Sequence, residues 1–301
     1  MEEAKEQNVI KGKDAGIAFS LSAVLPVAVT YLVAFILMAL KKYNDVKDNA
    51  VFNISTYLLT QAGLAITLFI AKGLNKNVTL KNLCGFKRFD YRIAFLIPFV
   101  AFGTIFGLGF LNDYFVDGLK KIGLKVSGVS ISMNNAGELV FALFAIAVVP
   151  AVLEEIVFRS VILKGTSGDK PLVTLLVCAF AFSLYHHNPA QTVYQFVVGW
   201  IYAYIAITTK SVLPTVILHF VNNAFVILFN YFVGDFLFGA TLTAIFVTVG
   251  ILALAICFVV YRFAFKIKAE RSEEKADFKS FFLFSAVGIV VLLAEWIVGC
   301  L

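Results

Sequence analysis

Nine apolar blocks of roughly twenty residues, the length a helix needs to cross the hydrocarbon of a bilayer, leave this chain few alternatives. They run over residues 16–40, 51–71, 93–111, 138–163, 171–187, 191–209, 212–233, 239–261 and 280–299, the fifth being short. Of the 301 residues 60% are hydrophobic and 15% are charged, whereas a soluble domain is about 25% charged. That balance excludes a soluble globular enzyme, a disordered chain and a small disulfide scaffold. The expected fold class is all-α: a polytopic membrane protein with eight or nine transmembrane helices around an interior polar site. One integral domain over 1–301 is the simplest organisation, and the stretch 112–136, polar and interrupted by glycine, reads as an interfacial segment.

The basic residues set the orientation. Loops on the side of the N-terminus hold 18 Lys and Arg, including Lys5, the Lys72–Arg92 group and the Arg262–Lys279 group; the opposite side holds 6. Cytoplasmic loops are enriched in Lys and Arg, so the N-terminus is expected in the cytoplasm. The net charge of +6 follows from the same bias, and no nucleic-acid partner is expected. The first apolar block is longer than the core of a signal peptide and reads as a retained span. Cys84, Cys178, Cys257 and Cys300 stand singly, with neither a zinc knuckle nor a redox pair.

The fourth block breaks the apolar rule. It contains Pro150, Glu154, Glu155 and Arg159, and each charge costs about 2.5–3.5 kcal/mol at the centre of a span. Such groups must face the bundle interior. Glu155 and Arg159 stand at i and i+4 with the acid first, the favoured order for an ion pair. Glu154 is turned about 100° away on the helix and has no local partner, which makes it the better candidate for a free base. The fifth block ends in Phe182, Tyr185, His186 and His187, and the seventh holds His219, Asn222 and Asn223. His219 and Asn223 again share one helix face. Counting helical rise places Glu154 about 15 Å from its end of the helix, His219 about 13 Å and His186 about 23 Å, so a common site requires tilt or a kink.

These side chains admit two kinds of role. They could form a structural ion network between helices. Alternatively, a carboxylate, two imidazoles and an amide suit hydrolysis by activated water, with Glu154 as base, His186 holding the water, and His219 with Asn223 stabilising an oxyanion. Glu154, His186 and His219 also have the composition of a catalytic zinc set, although no HExxH is present. Serine catalysis lacks its GxSxG signature.

Three boxes occur in order: Glu154-Glu155-Ile-Val-Phe-Arg159 (EExxxR), Phe182-Ser-Leu-Tyr-His186 (FxxxH) and His219-Phe-Val-Asn222-Asn223 (HxxxN). Together they resemble the CPBP family of CAAX-processing and bacteriocin-related intramembrane proteases, over about 138–233. The spans in 1–137 and 234–301 flank that core and carry no signature. The resemblance implies an intramembrane endopeptidase, metallo- or glutamate-dependent, with Glu154, Glu155, Arg159, His186, His219 and Asn223 as its catalytic set. Zinc stays an open cofactor, with Glu154, His186 and His219 as candidate ligands. His187 and Asn222, beside box positions, read as packing residues. One departure is Ser160, where the family often has glycine. The implied partners are a membrane-associated peptide or protein substrate and the bilayer itself, with a bacterial inner membrane favoured over the endoplasmic reticulum. The rival reading is a non-catalytic immunity or scaffold protein.

Overall fold

The computed structural model describes residues 10–126, 132–234, 239–267 and 273–301. Lys5, Lys268 and Arg271, which enter the charge bias, lie outside these segments. Among the described residues the fold is all-α, with no strand. The principal helices are α1 (Gly12–Ala39), α2 (Ala50–Leu74), α3 (Arg92–Lys121), α4 (Ala136–Gly165), α5 (Pro171–Tyr185), α6 (Thr192–Thr209), α7 (Leu213–Val233), α8 (Ala240–Ala264) and α9 (Phe278–Val298). Eight are long and apolar enough to cross a membrane; α5, at 15 residues, is the short one. Their outer faces carry exposed apolar side chains such as Phe35 and Phe69, the latter 80% accessible, as expected where lipid replaces water.

Helix ends follow local chemistry. Asn49 and Asp277 cap α2 and α9 by accepting the Phe52 and Ser280 amides. Asn135 accepts the Glu138 amide, while Glu138 in turn accepts the Asn134 amide at 2.6 Å; Glu138 is thus a half-buried capping residue. Pro171 and Pro214 sit in the first turns of α5 and α7, where a missing N–H costs little.

One expectation needs correction. The helix that begins at Arg92 does not stop near 111 but continues to Lys121, so 112–121 is helical and part of the same element. Leu111, Asn112, Phe115, Val116 and Leu119 keep to its half-buried face, and the polar residues between them are exposed. Amphipathic spacing carries the helix onward.

The helices pack as α1 against α9 and α2, α3 against α8, α5 against α6, and α7 against α3 and the first half of α4. A core cluster of Phe19, Leu64, Val157, Phe158, Phe182, Phe281 and Leu292 joins α1, α2, α9 to α4 and α5. At the α3–α8 crossing, a Cβ on Gly250 would lie 2.5 Å from the Gly107 nitrogen, so only glycine permits this approach.

Candidate active site

The carboxylates stand on a helix that departs from α geometry on both sides of them. Val149–Glu155 is α-helical, whereas Leu143–Val148 and Ile156–Ile162 are π-helical. Pro150 offers no N–H to the Ile146 carbonyl four residues earlier. Asn223 of α7 takes that acceptor, its Nδ2 donating to Ile146 O at 3.0 Å. The proline therefore does more than bend α4. It frees the carbonyl that anchors the third box to the first.

Glu154 is 5% exposed, and Glu155 and Arg159 are buried. The i,i+4 pair forms, with Arg159 Nη1 3.0 Å from Glu155 Oε1. The same oxygen lies 2.9 Å from His219 Nδ1, so Glu155 bridges α4 to α7, a link that local spacing on α4 could not reveal. The guanidinium of Arg159 rests over the Phe182 ring at 3.9 Å and near Tyr202 at 5.5 Å. Phe182 also packs edge-on against His186 at 4.7 Å and against His219 at 6.0 Å. The aromatic residue of the FxxxH box thereby ties the two imidazoles to the buried cation and brings His186 to the other boxes despite its depth.

Both histidines have a defined polarity. A carboxylate or a carbonyl oxygen can only accept, so Nδ1 of His219 donates to Glu155. Nδ1 of His186 donates in the same way to Phe182 O, at 2.9 Å. In the neutral rings Nε2 then bears the free lone pair. His219 Nε2 is 3.9 Å from Glu154 Oε2. With neutral imidazoles the cluster holds two carboxylates and one guanidinium, and Glu154 is the one without a cation of its own.

Asn223 spends one N–H on Ile146 and keeps a second. Its neighbour Asn222 accepts from the Tyr194 hydroxyl at 2.5 Å and points its Nδ2 at Asn223 Oδ1, 3.4 Å away. His187 has a positive φ of 35° and bonds the Tyr185 carbonyl through its own Nδ1, away from the carboxylates. Ser160 is buried and accepts from Lys164 Nζ at 2.7 Å, and Lys164 also bonds Asn82 O. Its extra atoms are accommodated because residue 85 is glycine. A Cβ on Gly85 would lie 2.8 Å from Ser160 Oγ, and its φ of +70° suits glycine.

The buried side-chain atoms without a hydrogen-bond partner are concentrated here. Among the described residues they are Gln61 Oε1, Glu154 Oε2, Glu155 Oε2, Tyr202 Oη and the guanidinium nitrogens of Arg159, whose Nη1 meets Glu155 as an ion pair without an aligned hydrogen bond; Asn112 Oδ1 alone lies elsewhere. Buried polar atoms are normally paired, so this cluster stands apart from the rest of the described interior. Gln61 and Tyr202 belong to no box, and neither stands out in the sequence. Gln61 shares its span with Asn53, Ser55, Thr56, Thr60 and Thr67, and Tyr202 is one of eleven tyrosines.

As a test for metal, the donor set fits in kind: two imidazole Nε2 lone pairs and one carboxylate, each Nδ1–H held by an oxygen as in zinc sites. Among the described residues no three His, Cys, Asp or Glu converge at ligand distance.

Residues 136–225, from the start of α4 into α7, match the family model Rce1-like, described as type II CAAX prenyl endopeptidase Rce1-like. The matched segment contains all three boxes. No curated protein and no solved structure matches the chain.

Proposed function

We propose that this CAAX-protease-type core hydrolyses peptide bonds of membrane-associated peptides or proteins, with Glu154 as the base that activates water. The observation that carries this reading is the pairing pattern. Glu155 is committed to Arg159 and His219, whereas Glu154 Oε2 has no hydrogen-bond partner and faces His219 Nε2.

In the proposed step Glu154 removes a proton from water as its oxygen attacks the scissile carbonyl carbon. The carbonyl oxygen gains the negative charge, and the remaining N–H of Asn223 donates to it. Glu155 fixes the His219 ring through Nδ1, so that Nε2 faces Glu154 Oε2 and the reacting atoms. His186, its ring fixed by the Phe182 carbonyl, holds the water through Nε2. When the C–N bond breaks, Glu154 returns its proton to the leaving amine nitrogen. Glu154, His186 and His219 are the residues that would hold a zinc ion, which when bound supplies Lewis-acid polarisation of the water and carbonyl. Arg159 keeps Glu155 ionised and in place, and acts through it.

The 18-to-6 distribution of basic residues supports a cytoplasmic N-terminus, and the same loops favour a bacterial inner membrane. The deciding experiment compares membrane peptides from cells carrying the wild-type protein with those carrying Glu154→Gln. Peptides cleaved only in wild-type cells identify substrates. Identical peptide profiles, with both proteins folded at equal abundance, favour a non-catalytic immunity or scaffold protein instead.

A further inference from the structure

A second polar cavity lies at one end of the bundle, where the connections between helices meet. It encloses about 240 Å³ and is lined by Gly85 and Lys87 of the α2–α3 connection, by Arg159 and Lys164 of α4, and by Lys210 and Ser211 between α6 and α7, among others. None of the side chains lining it is acidic. Hydrogen bonds hold its walls together. Ser211 Oγ donates to Lys87 O at 2.6 Å, and the Val212 amide donates to Gly85 O at 3.0 Å.

Lys164 shows what the cavity is suited to. Its side chain is half-buried, and the ammonium donates to Asn82 O at 2.6 Å and to Ser160 Oγ at 2.7 Å. Both partners are neutral. An ammonium has three N–H groups, so one remains, and a cation withdrawn from water is costly unless an opposite charge meets it. Ser160 is itself a buried hydroxyl, accommodated by Gly85, and its bond holds this ammonium at the cavity wall.

The level of the cavity along the bundle indicates where an anion would come from. Lys164 is one residue from the end of α4, and Lys210 directly follows α6. The apolar spans finish there, on the side whose loops carry 18 of the basic residues, and this is the level of lipid headgroups. Basic pockets between transmembrane helices at that level take anionic headgroups.

We infer that this cavity is a binding site for a phosphate group, with Lys164 and Lys87 as its charged contacts. Its level favours the headgroup of an anionic phospholipid as the source, and free phosphate offers the same chemistry. The inference is independent of the hydrolytic reading of Glu154.

The test measures thermal unfolding of the full-length protein in neutral detergent micelles, titrated with phosphatidylglycerol, phosphatidylcholine or inorganic phosphate. Phosphatidylglycerol should raise the unfolding temperature saturably, and phosphatidylcholine, whose choline cancels the headgroup charge, should not. Lys87 is exposed, so Lys87→Gln should fold normally and weaken the apparent affinity about fivefold, the contribution of one basic residue near an anionic lipid surface. Lys164→Met should weaken it by about 10- to 100-fold, the scale of a lost hydrogen bond to a charged group. Because Lys164→Met also removes the bond to Asn82, Lys87→Gln is the deciding variant. Lys81→Gln, exposed on the same connection but outside the cavity lining, should change nothing. A rise with inorganic phosphate that Lys87→Gln weakens keeps the site and assigns it to free phosphate. No rise with either probe overturns the inference. So does a rise that Lys87→Gln leaves unchanged, or one that Lys81→Gln weakens equally.

Discussion

Two helix contacts in this molecule solve the same assembly problem by opposite means. Where α3 crosses α8, the backbones approach through Gly107 and Gly250, and Phe106 stacks on Phe246 with centroids 5.0 Å apart. Beside this crossing runs an apolar groove of about 490 Å³ lined by Ile97, Trp200, Leu254 and Phe258 among others. Where α7 meets α4, the contact runs through Glu155–His219, Glu154–His219 and Asn223–Ile146. The first contact shows that this chain can join helices in lipid with small residues and rings alone. Charge is thus not needed to hold the bundle together, and a purely structural ion network is a poor account of the second contact. Burying two carboxylates and a guanidinium costs more than a glycine crossing does, and the unpartnered atoms around them leave that cost only partly offset.

This contrast can be broken experimentally, and the largest effect is expected at Glu154. Replacement by Gln keeps the shape and removes the base, so turnover of a reporter peptide should fall by about 10²- to 10⁴-fold, with thermal unfolding in detergent unchanged. A large loss of stability at this position would make the polar contact architectural after all. Glu155→Gln should behave differently, because it leaves Arg159 charged and unpaired. A loss of about 3–5 kcal/mol is expected, with most activity lost too. Adding Arg159→Leu should recover stability without recovering turnover. A Glu155→Gln protein as stable as wild type would refute the buried pair as a constraint.

At the glycine crossing the pattern should invert. Gly107→Leu forces a side chain into the Gly250 backbone and should cost about 1–3 kcal/mol, while turnover per folded molecule stays the same. The smallest expected change is at Tyr194→Phe, which deletes the hydroxyl held by Asn222. It should cost about 0.5–1.5 kcal/mol, with at most a modest fall in kcat as Asn222 loosens beside Asn223.

The helices were legible in the sequence because apolar runs of membrane length have few other fates. The exception, Asn112–Lys121, was missed because polar residues crowd one helix face there and hide the half-buried one. Within the site, Glu155 and Arg159 could be paired by i,i+4 spacing alone. The bridge from Glu155 to His219 could not, since it joins residues 64 positions apart through the relative rotation of two helices. Pro150 could be read as a kink, but its effect on Asn223 depends on which helix lies opposite the freed carbonyl. Gln61 carried no pattern, because it stands among Asn53, Ser55, Thr56, Thr60 and Thr67 in the same span with nothing to set it apart. Ser160 was visible as a departure from the family, whereas its compensation by Gly85 required a contact between distant parts of the chain.

The brevity of α5 bears on how the reaction obtains its second reactant. Hydrolysis consumes water, and the hydrocarbon interior of a bilayer supplies almost none. With 15 residues α5 extends only about 22 Å, and the chain continues through non-helical backbone at His187 and Asn188 and one 3-10 turn, Pro189–Gln191. Irregular backbone at membrane depth persists where protein or a hydrated cavity meets its polar groups. Here Asn112 of α3 donates to the Ala190 carbonyl, and Trp296 of α9 donates to Thr192 Oγ1 at 2.7 Å. This short connection thus begins at His186 and is bonded by two helices that hold none of the three boxes. The flanking spans thereby acquire a task of their own: they hold in place the connection that follows His186.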